Sequence, residues 1–172
     1  MKPGIDERQG WRAVGGAART ARTRLAEVRV TRRYGVAPSR VFAAWLDNDC
    51  AGRWLFATAS WPMAHAQIDP RVEGSFWLVD RRGGEYAGEY IEIVPCRRLA
   101  FTLSMDELPR LVSRVTVDLV QLPKGCALTL THADVPRGHA RRVEGRWTGI
   151  LYGLGVTLDS GPPHFTTDGS ER

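Results

Sequence analysis

The stretch Leu111–Leu158 reads LVSRVTVDLVQLPKGCALTLTHADVPRGHARRVEGRWTGILYGLGVTL, and its hydrophobic period changes partway along. In the first half Val115, Val117 and Leu119 alternate with polar residues. After Lys124-Gly125, Leu128 and Leu130 resume the same pattern. Period-two alternation on both sides of a Gly-containing turn predicts two half-buried strands in a hairpin, near 111–122 and 126–133. In the second half Val143, Trp147, Ile150, Leu151, Leu154 and Leu158 fall on one side at 3.6-residue spacing, which predicts one long amphipathic helix from Pro136 to Leu158. A sheet with a dry face followed by a helix long enough to cover it is an α+β arrangement.

Working outward, the same alternation recurs upstream. Leu99, Phe101 and Leu103 mark a strand near 97–104, and further strands are expected near 85–94, 73–80 and 64–69, with Gly83-Gly84 and Pro95 as connections. At the start of the body Ala26, Val28, Val30, Tyr34 and Val36 share one parity, interrupted by Arg32, which places a first strand there. Pro38 suits the first turn of a helix, and Val41, Phe42, Trp45 and Leu46 give that helix a buried stripe. A second short helix around Asp49–Leu55 turns Trp54 inward. Consecutive strands with short turns make the sheet antiparallel. The prediction is a curved seven-stranded sheet, two short helices after its first strand, and a long C-terminal helix on its dry face.

The ends of the chain differ from this body. Residues 1–24 lack apolar periodicity and hold Lys2, Arg8, Arg12, Arg19, Arg22 and Arg24 against Asp6 and Glu7, so they carry most of the net charge of +5. They are expected to be a flexible basic arm, with the domain over 25–159 and a loose Pro/Gly/Ser-rich tail over 160–172. The body is nearly neutral, which argues against a folded nucleic-acid-binding surface. No apolar window is long enough to span a membrane. Cys50, Cys96 and Cys126 are scattered and odd in number, which fits reduced thiols and a cytoplasmic location.

The ordered set of local patterns resembles the superfamily of START and birch-pollen-allergen-like domains (SRPBCC), and within it the heat-shock protein 90 ATPase activator homologues. The residues that carry the resemblance begin with Ala37-Pro38, Val41 to Trp45 and Arg53-Trp54, followed by Asp69 to Gly74. They continue with Gly88 to Ile93, Pro95, Arg98-Leu99, Leu128 to His132 and Glu144 to Trp147 with Leu151 and Leu154. Two departures, Leu55 where a second aromatic is common and Glu73 where a second glycine is common, border the expected cavity mouth. The resemblance implies a helix-grip fold, with the sheet wrapped around the long helix and a pocket between them.

Trp54, Phe56, Phe76, Phe101, Val117, Leu130, His132, Trp147, Leu151 and Leu154 are the expected lining of that pocket. Aromatic residues also dominate ordinary cores, so the same set reads equally as packing. His132 shares parity with Leu128 and Leu130 and faces inward. It is either a hydrogen-bonded structural histidine or a general base in the cavity. Asp69, Arg71 and Arg32 are weaker candidates of the same kind. His65, His132, His139 and His164 are scattered, and no HExxH or CxxC occurs, so no metal site is expected. Nor is there a GxSxG, a Walker-type loop or a GxGxxG, so no cofactor is expected either.

Gly145, Gly149 and Gly153, with Tyr152 and Val156, lie on the helix opposite the Trp147–Leu154 face. Glycine is unfavourable inside a helix, so the stripe is either solvent-facing drift or a close-packing surface for a second copy of the chain or the N-terminal arm. Three functions stay open. One is binding of a small hydrophobic or amphipathic molecule in the pocket. Another is a cyclase/aromatase- or lyase-type reaction on an apolar substrate there. The third is a co-chaperone-like interaction role, for which residues 1–24 are expected to be too short to supply the additional N-terminal chaperone-binding domain that the resemblance associates with the eukaryotic activators.

Overall fold

A computed structural model describes residues 24–57, 62–105 and 111–160. The expected arm and tail, as well as Trp61 and His164, lie outside the described residues, although Arg24 already accepts a 2.9 Å hydrogen bond from the Arg137 amide. Strand β1 (Leu25–Tyr34) leads into helices α1 (Pro38–Leu46) and α2 (Asn48–Trp54). Strands β2 (His65–Ile68), β3 (Ser75–Val79), β4 (Glu85–Val94), β5 (Arg98–Met105), β6 (Val112–Gln121) and β7 (Cys126–Pro136) follow, and helix α3 (Ala140–Asp159) closes the fold. The strands form one seven-stranded antiparallel sheet in the order β1-β7-β6-β5-β4-β3-β2.

The alternation in the sequence becomes the two faces of the sheet. The inward row Val28–His132–Val115–Phe101–Tyr90 crosses five neighbouring strands in register, and all five side chains are buried. Helix α3 lays Val143, Trp147, Ile150, Leu151, Leu154 and Leu158 against that surface. Tyr34 ties helix to sheet by donating from its hydroxyl to the Leu151 carbonyl at 2.8 Å, and burial holds its phenol protonated by raising its pKa. Helices α1 and α2 cover the rest of the dry face with Val41, Phe42, Ala44, Trp45, Ala51 and Trp54. Asp47 caps α2 by accepting from the Cys50 amide.

Three boundaries differ from the sequence expectation, each for a local reason. Strand β7 runs past Ala133 to Pro136 because Val135 and Pro136 pair with Ala26 and Leu25. The extra residue is absorbed at a bulge where Asp134 adopts φ 63°, a conformation that a short polar side chain tolerates. Helix α3 consequently starts at Ala140 rather than Pro136, after a 3-10 turn at Arg137–His139. Strand β3 starts at Ser75 because the chain before it is a tight turn, with the Gly74 amide bonded to the Arg71 carbonyl and Glu73 at φ 64°.

Candidate functional site

The expected pocket-lining residues come together in one buried cluster. Trp54, Phe56, Phe76, Phe101, Val117, Leu130, His132, Trp147, Leu151 and Leu154 are all at most 6% exposed. Their rings touch one another. Phe76 meets Phe101 edge-on at 5.4 Å, and Phe56 lies 5.5 Å from Trp147. Trp45, placed by the sequence in the helix core rather than in the pocket, is the hub of this cluster. It lies 4.8 Å from Trp54, 6.0 Å from Phe101 and 6.4 Å from Trp147. The side chains between sheet and helix thus pack largely against each other.

A gap persists where α3 separates from the sheet. A cavity of about 20 Å³ is walled by Phe56, Met105, Val143 and Trp147 and rimmed by His139, Arg142 and Arg146, with room for roughly one water molecule. Phe56 sits there at φ 58°, a conformation a bulky L-residue rarely adopts. It stacks on Tyr86 at 4.3 Å with an interplanar angle of 3°. Arg146 in turn donates to the Tyr86 hydroxyl at 2.7 Å. Met105, Val143, Tyr86 and Arg146 were not among the expected lining residues. Met105 continues the parity of Phe101 and Leu103, and Val143 that of Trp147, so both were visible as inward-facing. That they flank a gap was not.

His132 has no exposed surface, and both ring nitrogens are engaged. Trp147 Nε1 donates to His132 Nδ1 at 2.9 Å. An accepting Nδ1 puts the proton on Nε2, which lies 2.7 Å from Ser113 Oγ, and Ser113 donates onward to the Leu103 carbonyl at 3.1 Å. The chain works only with a neutral imidazole, and burial lowers the His132 pKa to about 4. Neither nitrogen is left to take a proton from a substrate. Ser113, which the sequence reading passed over, shares parity with Val115 and Val117, and that was its signal.

The weaker candidates lie elsewhere. Asp69 and Arg71 form an exposed ion pair at 2.8 Å in the turn before β3. Arg32 lies over the Tyr152 ring at 5.1 Å on the outer side of α3. The glycine stripe is not uniform. A Cβ at Gly145 or Gly149 would meet open space, whereas one at Gly153 would touch Trp54 of α2. Tyr152 and Val156 are 60% and 50% exposed. Among the described residues no three His, Cys, Asp or Glu side chains gather as a metal site would need, and no helix is long and apolar enough to cross a membrane.

Comparison with known proteins follows the same outline. The profile of the family described as Activator of Hsp90 ATPase homolog 1-like protein matches residues 36–159. A search of the curated proteins finds no match. Among solved structures, protein CV1439 from Chromobacterium violaceum is similar, with a TM-score of 0.67 at 22% identity over 77% of this chain and 96% of its own. The AHSA1-like protein from Aeromonas hydrophila superposes with a TM-score of 0.65 at 22% identity over 78% and 93%. DynU16, a protein of the dynemicin biosynthetic locus, gives 0.68 at 19% identity over 80% of this chain and 48% of its own. At these identities the likeness is one of fold.

Proposed function

The chain belongs to the Activator of Hsp90 ATPase homolog 1-like protein family, and on that premise we propose that it binds a small amphipathic molecule between sheet and helix. The entrance is the gap beside Phe56 and Trp147. The observation that carries the proposal is the composition of that gap. Its walls are the apolar side chains of Phe56, Met105, Val143 and Trp147, and its rim carries His139, Arg142 and Arg146. A molecule with an apolar body and a polar or acidic end matches such a site, because binding pockets join apolar walls to a few polar groups that fix orientation. The strained backbone at Phe56 supports the same reading, since uncommon φ values in bulky residues cluster at ligand clamps and switches. Phe56 would swing from its stack on Tyr86 to admit the ligand.

The likeness to DynU16 adds to this reading, because a protein of a biosynthetic locus handles small organic molecules. A general-base role for His132 gains nothing from the geometry, so binding is favoured over turnover. The test is a fluorescence titration with anilinonaphthalene sulfonate, which joins an aromatic body to an anionic end. The native chain is expected to bind one equivalent saturably. Val143→Trp, which fills the gap, is expected to weaken binding by about tenfold or more while the melting temperature holds. Equal binding by both proteins, or none by the native chain, would refute the proposal.

A further inference from the structure

The polar atoms of this core are paired almost without exception. Trp54 Nε1 donates to the Ala44 carbonyl at 3.2 Å, Trp147 Nε1 to His132, and the Tyr34 hydroxyl to Leu151. Among the described residues, Trp45 Nε1 is the one buried side-chain nitrogen or oxygen with no hydrogen-bond partner. Its residue is 2% exposed, so bulk solvent does not satisfy it. Buried donors without partners are rare in folded proteins, and each one calls for an explanation.

The surroundings narrow that explanation. The neighbours of the Trp45 ring are Trp54, Phe101 and Trp147, all aromatic faces or edges. A buried water needs two or more polar partners to be held, and with the Trp54 and Trp147 N–H groups already committed these rings offer none. The edge-to-face contact with Trp54 supplies at most the weak acceptor of an aromatic face. The missing acceptor therefore has to arrive on a molecule that is otherwise at home among rings. Trp147 links this position to the entrance, because it packs against Trp45 and also walls the gap beside Phe56.

We infer that the Trp45 indole N–H reads the ligand, donating to a single acceptor oxygen, such as a ketone carbonyl, on a flat apolar molecule lodged among Trp45, Trp54, Phe101 and Trp147. This rests on the binding reading above and adds to it the class of ligand and the residue that selects it. The discrimination comes from the orphan donor. A ligand that carries the oxygen satisfies it, and a hydrocarbon of the same shape leaves it buried and unpaired.

The experiment uses two probes of nearly identical shape, 9-fluorenone and fluorene, which differ by one carbonyl oxygen. Affinities for the full chain are read by quenching of tryptophan fluorescence and by melting-temperature shift. The native chain is expected to prefer fluorenone by about threefold to tenfold, although fluorene is the more hydrophobic of the two. Trp45→Phe, checked for folding by its melting temperature and circular dichroism, is expected to bind both probes with the preference gone. Equal affinities in the native chain would overturn the inference while leaving the binding reading in place. So would a variant that loses affinity for both probes equally, since Trp45 would then act only by shape. Binding of neither probe would overturn both. The native-chain ratio decides the matter even if the variant does not fold.

Discussion

At one end of the core, His132, Ser113 and Trp147 form a closed chain of hydrogen bonds that ends on the Leu103 carbonyl. At the other end, the Trp45 N–H faces only rings, and Phe56 holds an uncommon backbone conformation beside a gap. Both ends are lined by side chains of α3 and by aromatic residues, so composition does not distinguish them. What differs is whether each buried polar atom has been satisfied. A satisfied network fixes one arrangement of its members, whereas an unsatisfied donor next to a void marks a place where the packing can still accept something. Trp147 belongs to both ends, which couples the rigid one to the open one.

The largest expected effect tests the closed end. Because the folded protein holds His132 neutral, with its pKa lowered from the ordinary 6.5 to about 4, the unfolded chain takes up that proton first as pH falls. Its contribution to stability is therefore complete above pH 6.5 and lost between there and pH 4, amounting to roughly 3 kcal/mol. Urea unfolding midpoints measured from pH 7.5 to pH 4 should fall accordingly, and His132→Gln should flatten that part of the profile. A smaller loss, about 1–3 kcal/mol, is expected for Trp147→Phe, which leaves the buried Nδ1 without its donor. Chemical denaturation of that variant measures it.

Replacing each of the two remaining core tryptophans sharpens the comparison. Trp54→Phe orphans the Ala44 carbonyl, whereas Trp45→Phe removes a donor that had no partner. Trp54→Phe should be the more destabilising by about 1 kcal/mol, as read from paired unfolding curves. Equal losses would mean that the Trp45 N–H is satisfied after all. The smallest effect belongs to the outer side of α3. Gly145→Ala and Gly149→Ala, where a Cβ meets open space, should each raise stability by about 0.5–1 kcal/mol through helix propensity. An unchanged or lowered melting temperature at Gly149 would point instead to a surface covered by a partner.

The fold was legible because both of its periods are strong. Val115, Val117 and Leu119 announce a strand, and Trp147, Leu151 and Leu154 a helix, without help from context. The bulge at Asp134 was not legible, since it follows from the pairing of β7 with distant Leu25 and Ala26. For the candidate site, parity revealed which residues point inward but not whether they meet or leave space. Phe76 and Phe101 face inward as expected and then pack edge to face. His132 was seen as inward-facing, but its partners come from strand β6 and from α3, 19 and 15 residues away in the chain. The Trp45 donor could not be found from sequence at all, because an absent partner is a property of three-dimensional packing.

Native mass spectrometry of the full chain, purified without denaturation and then extracted, tests the central claim of ligand binding most directly. The account predicts a co-purifying small molecule with an apolar body, bound one per chain and absent from Val143→Trp. A native chain that carries only its own mass, and whose melting temperature no amphipathic or aromatic compound raises, would contradict it.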